Sequence, residues 1–267
     1  DGNLFDIDEF GREEAFYAHA MATIALCEAV ALTSDRRLRE SAKRAVDYLV
    51  ATQQPTVGGW KYQPQTPLTR GDLSVTGWAL MALHTARIAD IDVPEQSFFL
   101  ASTFLDSVEV EDGARYRYEP EFGVSRAMTA EGLLCRQWLG WPREHPSLES
   151  GCRYLLGERH RPLWDGGRRN VYAWYYTAQV LHNMGGSEWE AWYRAVRDQI
   201  VSNQMRAGST RKGMDVRGSW HPARPRGQAE EKSDIAGRLY LAAMCVLVLE
   251  TPYRHVSVYE VNELPDR

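Results

Sequence analysis

The chain has little cysteine and lacks the common metal, nucleotide and nucleophile motifs. Its 267 residues include four cysteines, and no Cys-x-x-Cys pair occurs, which argues against a disulfide framework. Cys27, Cys135 and Cys245 lie in apolar helical stretches and are expected to be buried. No His-Glu-x-x-His, P-loop or Gly-x-Ser-x-Gly motif is present. We therefore expect neither a metal nor a cofactor.

An excess of basic residues and a long apolar run are also missing. The formal net charge is −5 at pH 7, whereas a nucleic-acid partner requires a basic stripe. The longest apolar run is LAAMCVLVL, residues 241–249, well short of the roughly 20 residues that span a bilayer. The sequence thus predicts no nucleic-acid partner and no transmembrane segment in this chain, and it leaves the localisation open.

Strand-like alternation is lacking over any useful length, and two kinds of helical segment alternate instead. Some segments are apolar on nearly every face, which is typical of inner helices packed on several sides. Others carry one apolar stripe opposite charged residues, which is typical of outer helices. The inner segments are 13–32, 74–89, 126–141, 170–185 and 237–250, and the outer segments are 36–53, 94–109, 147–159 and 187–204.

The inner segments begin at intervals of roughly 50–60 residues, a spacing typical of an array of helical hairpins. Inner helices that are apolar on nearly every face cannot border bulk water, which favours closure of the hairpins into a ring shielded by the outer helices. The sequence therefore predicts an all-α ring of hairpins in a single domain over residues 1–267.

The stretch QQPTVGGWKYQP, residues 53–64, joins an outer helix to an inner one. Its glycines accept positive φ angles, Trp60 is expected to pack over the end of the hairpin, and the Gln54 side chain is expected to bond helix-end groups. Gln54, Gly58 and Trp60 resemble the QW motif of squalene–hopene cyclases and their relatives, including protein prenyltransferase β subunits.

The resemblance covers essentially the whole chain. DGARYRY (112–118) and GSWHP (218–222) resemble further copies of the motif, and stretches such as GDLSVTGWALMALHTA resemble a bacterial branch of squalene-cyclase-like domains. This resemblance implies an α/α toroid of six hairpins. It also implies that about three helices lie in an N-terminal region ahead of Asp1, so that the chain is part of a larger bacterial protein.

The catalytic motifs of these relatives are missing. Squalene-cyclase-type enzymes protonate their substrate with an Asp-x-Asp-Asp motif, and the nearest match is Asp6, Asp8 and Glu9, which we interpret as a solvated loop. The Asp-x-Cys zinc motif of prenyltransferases and the diphosphate-binding Asp-Asp-x-x-Asp motif do not occur. Asp72 and Asp234 each precede an inner helix and are predicted to be ionised N-caps.

Aromatic and polar residues recur near the starts of the inner helices, which converge on one mouth if the helices form a ring. We predict that they line a ligand-binding mouth suited to an apolar, isoprenoid-like molecule, which aromatic faces can hold. The predicted ligand-binding residues are His19, Asp72, Trp78, Tyr116, Tyr118, Arg136, Tyr172, Tyr175, Tyr176, Gln179, Trp220, Arg238 and Tyr240.

Three functions agree with these patterns. We favour a non-catalytic toroid domain that binds a small apolar molecule or a protein partner, because the acid and metal motifs of the relatives are missing. The alternative is a divergent isoprenoid cyclase or transferase. A second alternative is a glycan-processing α/α barrel, which needs two carboxylates across a cleft. The predicted mouth offers Asp72 and Asp234, but no spacing links them.

Overall fold

The computed structural model describes residues 2–5, 15–62, 70–208, 213 and 215–261. The chain folds into two compact units, Asp1–Trp141 (unit 1) and Pro142–Arg267 (unit 2). The acidic stretch of Asp6, Asp8 and Glu9 falls outside the described residues. The prediction of a single domain over 1–267 stays a prediction.

Helices make up most of unit 1. They are α1 (Ala15–Thr33), α2 (Arg36–Thr52), α3 (Leu73–Ile88), α4 (Glu95–Val108) and α5 (Arg126–Trp138). A short antiparallel hairpin of β1 (Glu109–Val110) and β2 (Arg115–Tyr116) follows α4. The sequence did not predict this hairpin, because strands of two residues leave no alternation to detect.

Unit 2 is also built from helices. They are α6 (Pro146–Leu155), α7 (Val171–Met184), α8 (Gly186–Ser202), α9 (Ser233–Arg254) and α10 (Val258–Val261). The first turn of α9 is separated from the rest by Gly237, which has a φ of 86°. A continuous helix therefore follows Gly237, as the predicted segment 237–250 indicates.

Burial distinguishes α3 from α2 as the periodicity predicts, whereas the last inner helix, α9, buries only six of its 22 residues. Twelve of the sixteen residues of α3 are buried, whereas α2 buries only Ala42, Ala45, Val46 and Leu49. All the predicted inner and outer segments form helices in the described part of the chain. The predicted all-α class is therefore confirmed.

The four cysteines lie inside the packed helices. Cys27, Cys135, Cys152 and Cys245 are all buried and free, so the three that were predicted to be buried are confirmed. Burial raises the pKa of the Cys27 and Cys152 thiols to about 12. Thiols with such a raised pKa are poor nucleophiles near neutral pH.

Two tryptophans fasten the ends of outer helices, one in each unit. The indole Nε1 of Trp60 donates to the Leu49 carbonyl at the end of α2 (2.9 Å), and that of Trp220 donates to the Ile200 carbonyl at the end of α8 (2.7 Å). Both rings are buried. The predicted packing of Trp60 over the end of its hairpin is thus confirmed, and Trp220 makes the same contact.

The Gln54 side chain bonds to the loop that follows α2. Its Oε1 accepts from the backbone N–H groups of Thr56 and Val57, at 2.6 and 2.7 Å, and its predicted bonding to helix-end groups stays a prediction. Gly58 in this loop has a φ of +70°, and a Cβ there would lie 1.8 Å from the Leu100 carbonyl oxygen. Glycine is required at this position both by the backbone conformation and by the close approach of α4.

Removal of either indole N–H is expected to destabilise the chain. Trp60→Phe and Trp220→Phe each remove a buried hydrogen bond and open a cavity, so each should lower the free energy of unfolding by about 2–3 kcal/mol. Urea denaturation measures this change. Trp189→Phe, at a half-buried position of α8, is the matched control, and equal losses in all three variants would contradict the fastening role.

Two stretches are long and apolar enough to cross a membrane by length and composition, Ala15–Thr33 and Ser233–Glu260. Core helices of water-soluble proteins meet the same criterion, and eight residues of α1 are buried inside this fold. The prediction that the chain contains no transmembrane segment stays a prediction.

Candidate functional site

A buried carboxyl group, that of Asp72, lies at the N-terminus of α3 in unit 1. Its Oδ1 accepts hydrogen bonds from the backbone N–H of Val75 (2.9 Å) and from the hydroxyl of Ser74 (2.8 Å), so Asp72 is the N-cap of α3, as predicted. Its own backbone N–H donates to the carbonyl of Trp60 at 2.9 Å. No part of Asp72 is exposed to solvent.

Burial raises the pKa of Asp72 from 3.8 to about 6. Several groups lower the pKa and so oppose this rise. They are the hydrogen bonds from Val75 and Ser74, the nearby Tyr118 hydroxyl and the charge of Lys61. The second oxygen, Oδ2, is buried and makes no hydrogen bond of acceptable geometry to the described residues. At pH 7 Asp72 is therefore still mostly ionised, as predicted for an N-cap, although burial makes its proton harder to remove than that of an ordinary aspartic acid.

Three tyrosine hydroxyls surround this carboxyl group. Tyr17 of α1 bonds to Ser74 Oγ at 2.6 Å, and the hydroxyls of Tyr62 and Tyr118 share a short hydrogen bond. Burial raises the pKa of all three phenols, and the charge of Asp72 raises them further. Each of the three tyrosines keeps some exposed surface, whereas Asp72 has none.

A second buried carboxyl group, that of Glu131, reaches from α5 to α3. Its Oε1 lies only 2.1 Å from the position that a Cβ on Gly77 would occupy, so the absence of a side chain on α3 makes room for it. Glu131 has no exposed surface. Its charge also raises the pKa of Tyr17, which therefore lies within electrostatic reach of both Asp72 and Glu131.

These side chains converge from α1, α3, α5 and the segments beside β2 and Trp60. A pair of carboxyl groups and a set of phenols can bind a polar ligand and exchange protons with it. We call the group the Asp72 site, and it comprises Tyr17, Tyr62, Asp72, Ser74, Tyr118 and Glu131.

Asp72 and Tyr118 are the two predicted ligand-binding residues that the structure places in this site. Glu131 was missed, although a glutamate within the apolar segment RAMTAEGLLCRQW is itself a signal of a buried acid. Tyr17 and Tyr62 carry no such signal, because only the tertiary structure brings them to Asp72.

A methyl group on Gly77 is expected to disrupt the site. Alanine normally stabilises a helix by about 1 kcal/mol relative to glycine, but here it would displace the Glu131 carboxyl, so Gly77→Ala should lower the free energy of unfolding by about 2–3 kcal/mol. In denaturation experiments, Glu131→Ala should cost less in the Gly77→Ala background than in the wild type. A neutral or stabilising Gly77→Ala would contradict this contact.

Other predicted residues of unit 1 make contacts within the protein. His19 accepts from the Leu4 N–H through Nδ1 (3.2 Å), so its Nε2 donates to the Ala45 carbonyl (3.1 Å), and burial lowers its pKa. Arg136 Nε donates to the Tyr116 hydroxyl at 2.9 Å. Trp78 is buried within α3.

The predicted residues of unit 2 lie on α7 and around Trp220. Tyr175, Tyr176 and Gln179 are buried, whereas Tyr172 is half-buried and its hydroxyl lies 3.4 Å from that of Tyr176. Their role in ligand binding stays a prediction.

Arg238 and Tyr240 follow Gly237 on α9. Arg238 donates to the Trp220 carbonyl at 2.9 Å and to Ser219 Oγ at 3.0 Å, so it supports the fastening tryptophan. Burial and the charge of Glu231 raise the pKa of Tyr240. Their role in ligand binding is also untested by these contacts.

Comparison with known proteins identifies a fold but no family. No family model matches the chain, and no curated protein matches it. The α-1,6-mannanase GH76A of Salegentibacter sp. HEL1_6 is 14% identical, with a TM-score of 0.58 over 92% of this chain and 78% of that chain. An inactive variant with two consecutive aspartates replaced by alanine, in complex with α-1,6-mannotetrose, is 14% identical, with a TM-score of 0.58 over 88% of this chain and 74% of that chain. The corresponding asparagine variant, in complex with α-1,6-mannotriose, is 13% identical, with a TM-score of 0.57 over 88% and 75%.

The predicted fold class, an α/α toroid of helical hairpins, is confirmed by these structures. The resemblance to squalene–hopene cyclases and prenyltransferases is not supported, because the similar structures are mannanases. An isoprenoid-like ligand likewise loses its support. This chain contains no two consecutive aspartates.

Proposed function

We propose that this chain is a glycan-processing α/α toroid domain, and that its Asp72 site binds a sugar unit and cleaves a glycosidic bond. One observation carries the proposal: Asp72 is a fully buried carboxyl group with a pKa raised to about 6, beside the hydroxyls of three tyrosines. Such a group keeps its proton to a higher pH than an ordinary carboxyl group does, as the general acid of a glycoside hydrolase must.

The polarity of the site favours a sugar over an isoprenoid. The buried Oδ2 of Asp72 makes no well-formed hydrogen bond to the described residues, and an apolar ligand would leave it so at a cost in binding free energy. Sugar hydroxyls donate hydrogen bonds, and tyrosine rings pack against sugar faces. Two of the similar mannanase structures hold α-1,6-linked mannooligosaccharides, which supports this class of ligand.

Hydrolysis requires a second carboxyl group, and we assign that role to Glu131. The charges of Asp72 and Glu131 both act on Tyr17, whereas Asp234, the partner suggested by the sequence, belongs to unit 2 and pairs with Arg226 at 2.9 Å. In this proposal Asp72 supplies the proton for the leaving oxygen. Glu131 stabilises the positive charge that develops on the sugar ring.

A hydrolysis assay with α-1,6-mannotetraose and a panel of other oligosaccharides tests this function. We expect the wild type to release shorter products and Asp72→Asn to slow their release by at least about 100-fold. Asparagine retains the oxygen that caps α3, but it cannot carry the proton. Asp35→Asn is the matched control, because Asp35 caps α2 through the Arg37 N–H at a half-buried position, and it should leave the rate unchanged.

The assay also separates the two main functions. Equal rates for the wild type and Asp72→Asn would contradict the catalytic role of Asp72. Binding of an oligosaccharide without any product would instead favour the non-catalytic ligand-binding domain that the sequence suggests.

A further inference from the structure

We infer that Tyr17 and Ser74 form a proton relay between the buried Asp72 carboxyl and a ligand at the accessible side of the site. The nature of the ligand rests on the proposed function, whereas the path rests on geometry. Tyr17 is then the residue that contacts the glycosidic oxygen, and Asp72 acts through it.

Accessibility makes an intermediary necessary. Asp72 has no exposed surface and Ser74 is only 7% exposed, whereas Tyr17 is half-buried. Tyr17 is thus the residue of this hydrogen-bonded series with the most exposed surface, although its hydroxyl is itself largely buried.

The single hydroxyl hydrogen of Ser74 fixes the direction of the two hydrogen bonds that link Tyr17 to Asp72. Ser74 has one hydroxyl hydrogen and donates it to Asp72 Oδ1 at 2.8 Å. Its Oγ can then only accept from Tyr17, whose hydroxyl lies 2.6 Å away. When Asp72 is ionised, the hydroxyl hydrogens of Tyr17 and Ser74 both point toward its carboxylate. When Asp72 is protonated, both hydrogen bonds can reverse their direction, and the Tyr17 hydroxyl hydrogen then points away from Ser74.

The relay completes a balanced hydrolysis. Tyr17 gives its proton to the leaving oxygen as the sugar C–O bond breaks, and it takes one from Ser74, which takes one from Asp72. Water forms the new bond to the sugar carbon, and its proton returns through the same hydroxyls to the Asp72 carboxylate. One water is consumed for each bond cleaved, and the three side chains end as they began.

The surrounding charges require these transfers to be concerted. Burial and the charges of Asp72 and Glu131 raise the pKa of Tyr17, so a free phenolate is disfavoured. The other titratable groups that act on Asp72 are Tyr118 and Lys61, and Tyr62 bonds to Tyr118. Because Tyr17 never holds a full charge, the protonation of Asp72 sets the pH dependence of the reaction.

Conservative variants test the relay through turnover. Tyr17→Phe keeps the ring and Ser74→Ala keeps the small side chain, and each should lower kcat by about 100-fold while KM changes by less than about three-fold. Tyr48→Phe is the matched control, because Tyr48 is a half-buried tyrosine of α2 in the same unit. A Tyr17→Phe variant with the wild-type kcat would overturn the relay.

A titration tests the same path without turnover, and so separates failure of the relay from failure of the proposed function. The infrared carboxyl band of Asp72, identified by difference from Asp72→Asn, gives its protonation midpoint. We expect Tyr17→Phe to raise this midpoint when Ser74 is present. In the Ser74→Ala background it should have no effect, because the hydrogen bonds that link Tyr17 to Asp72 are already lost. Equal shifts in both backgrounds, or no shift in either, would overturn the relay even if the chain hydrolyses glycans.

Discussion

Replacing Asp72 by asparagine is expected to stabilise the fold at pH 8 by about 3 kcal/mol. The folded chain holds the Asp72 proton up to a pKa of about 6, against 3.8 ordinarily. Below pH 3.8 Asp72 is protonated in both the folded and the unfolded chain, so it does not affect stability. Between pH 3.8 and 6 the unfolded chain releases this proton and the folded chain keeps it. The wild type therefore loses about 1.4 kcal/mol of stability for each pH unit in this range. Asparagine caps the helix without burying a charge.

Chemical denaturation of both proteins at pH 4 and pH 8 measures this effect. The gain from Asp72→Asn should be largest at pH 8 and nearly absent at pH 4. Asp35→Asn should bring no such gain, because the Asp35 carboxyl is exposed and hydrogen bonds from Arg37 lower its pKa. A gain that does not depend on pH, or a loss at pH 8, would contradict the raised pKa of Asp72.

Breaking the buried ion pair of unit 2 is expected to cost about 3–5 kcal/mol of stability. Arg169 Nη2 donates to Glu231 Oε1 at 2.8 Å, and the two side chains are 0% and 1% exposed. Arg169 also donates to Ser233 Oγ at 2.8 Å and to the Pro222 carbonyl at 2.6 Å. Glu231 Oε2 accepts from the Val171 N–H at 2.8 Å. Removal of one charge leaves the other buried without its counter-charge.

Single and double variants distinguish the ion pair from ordinary packing. Glu231→Gln and Arg169→Met should each cause the full loss, whereas the double variant Arg169→Met/Glu231→Leu should lose less than either. The exposed pair Arg226–Asp234 serves as the control, since Asp234→Asn should change stability by less than about 1 kcal/mol. Losses that simply add in the double variant would contradict the coupling.

The helices could be predicted from the sequence because apolar periodicity is a local signal. The difference between α2, with one stripe, and α3, buried on nearly every face, is visible in their residues alone. The contact of Trp60 with the end of α2 was equally predictable, because an aromatic residue after paired glycines has few other places to pack.

The resemblance to cyclases predicted the wrong class of ligand, because the matching residues have a structural role. The Gln-x3-Gly-x-Trp spacing places Trp60 on the Leu49 carbonyl, and Trp220 makes the same contact with Ile200 within a motif that lacks the glutamine. The Gln-x3-Gly-x-Trp spacing therefore indicates that a tryptophan packs against the end of a helical hairpin. It carries no information about the chemistry of the site.

The candidate site was only partly predictable, because its members meet through tertiary structure. Tyr17, Ser74 and Glu131 come from three helices that are distant in sequence, and Glu131 reaches α3 only because position 77 is glycine. The pKa of Asp72 depends on complete burial, which no N-cap pattern reveals. Sequence alone therefore identified Asp72 as a helix cap and a candidate carboxylate, but not its raised pKa.

The most direct test of a glycan-processing Asp72 site is a pH titration of the Asp72 carboxyl by ¹³C NMR, with and without α-1,6-mannotriose. We predict a midpoint near 6 in the free chain, and a shift of that midpoint when the sugar is added. A midpoint near the ordinary 3.8, together with no response to the sugar, would contradict both the buried acid and its function.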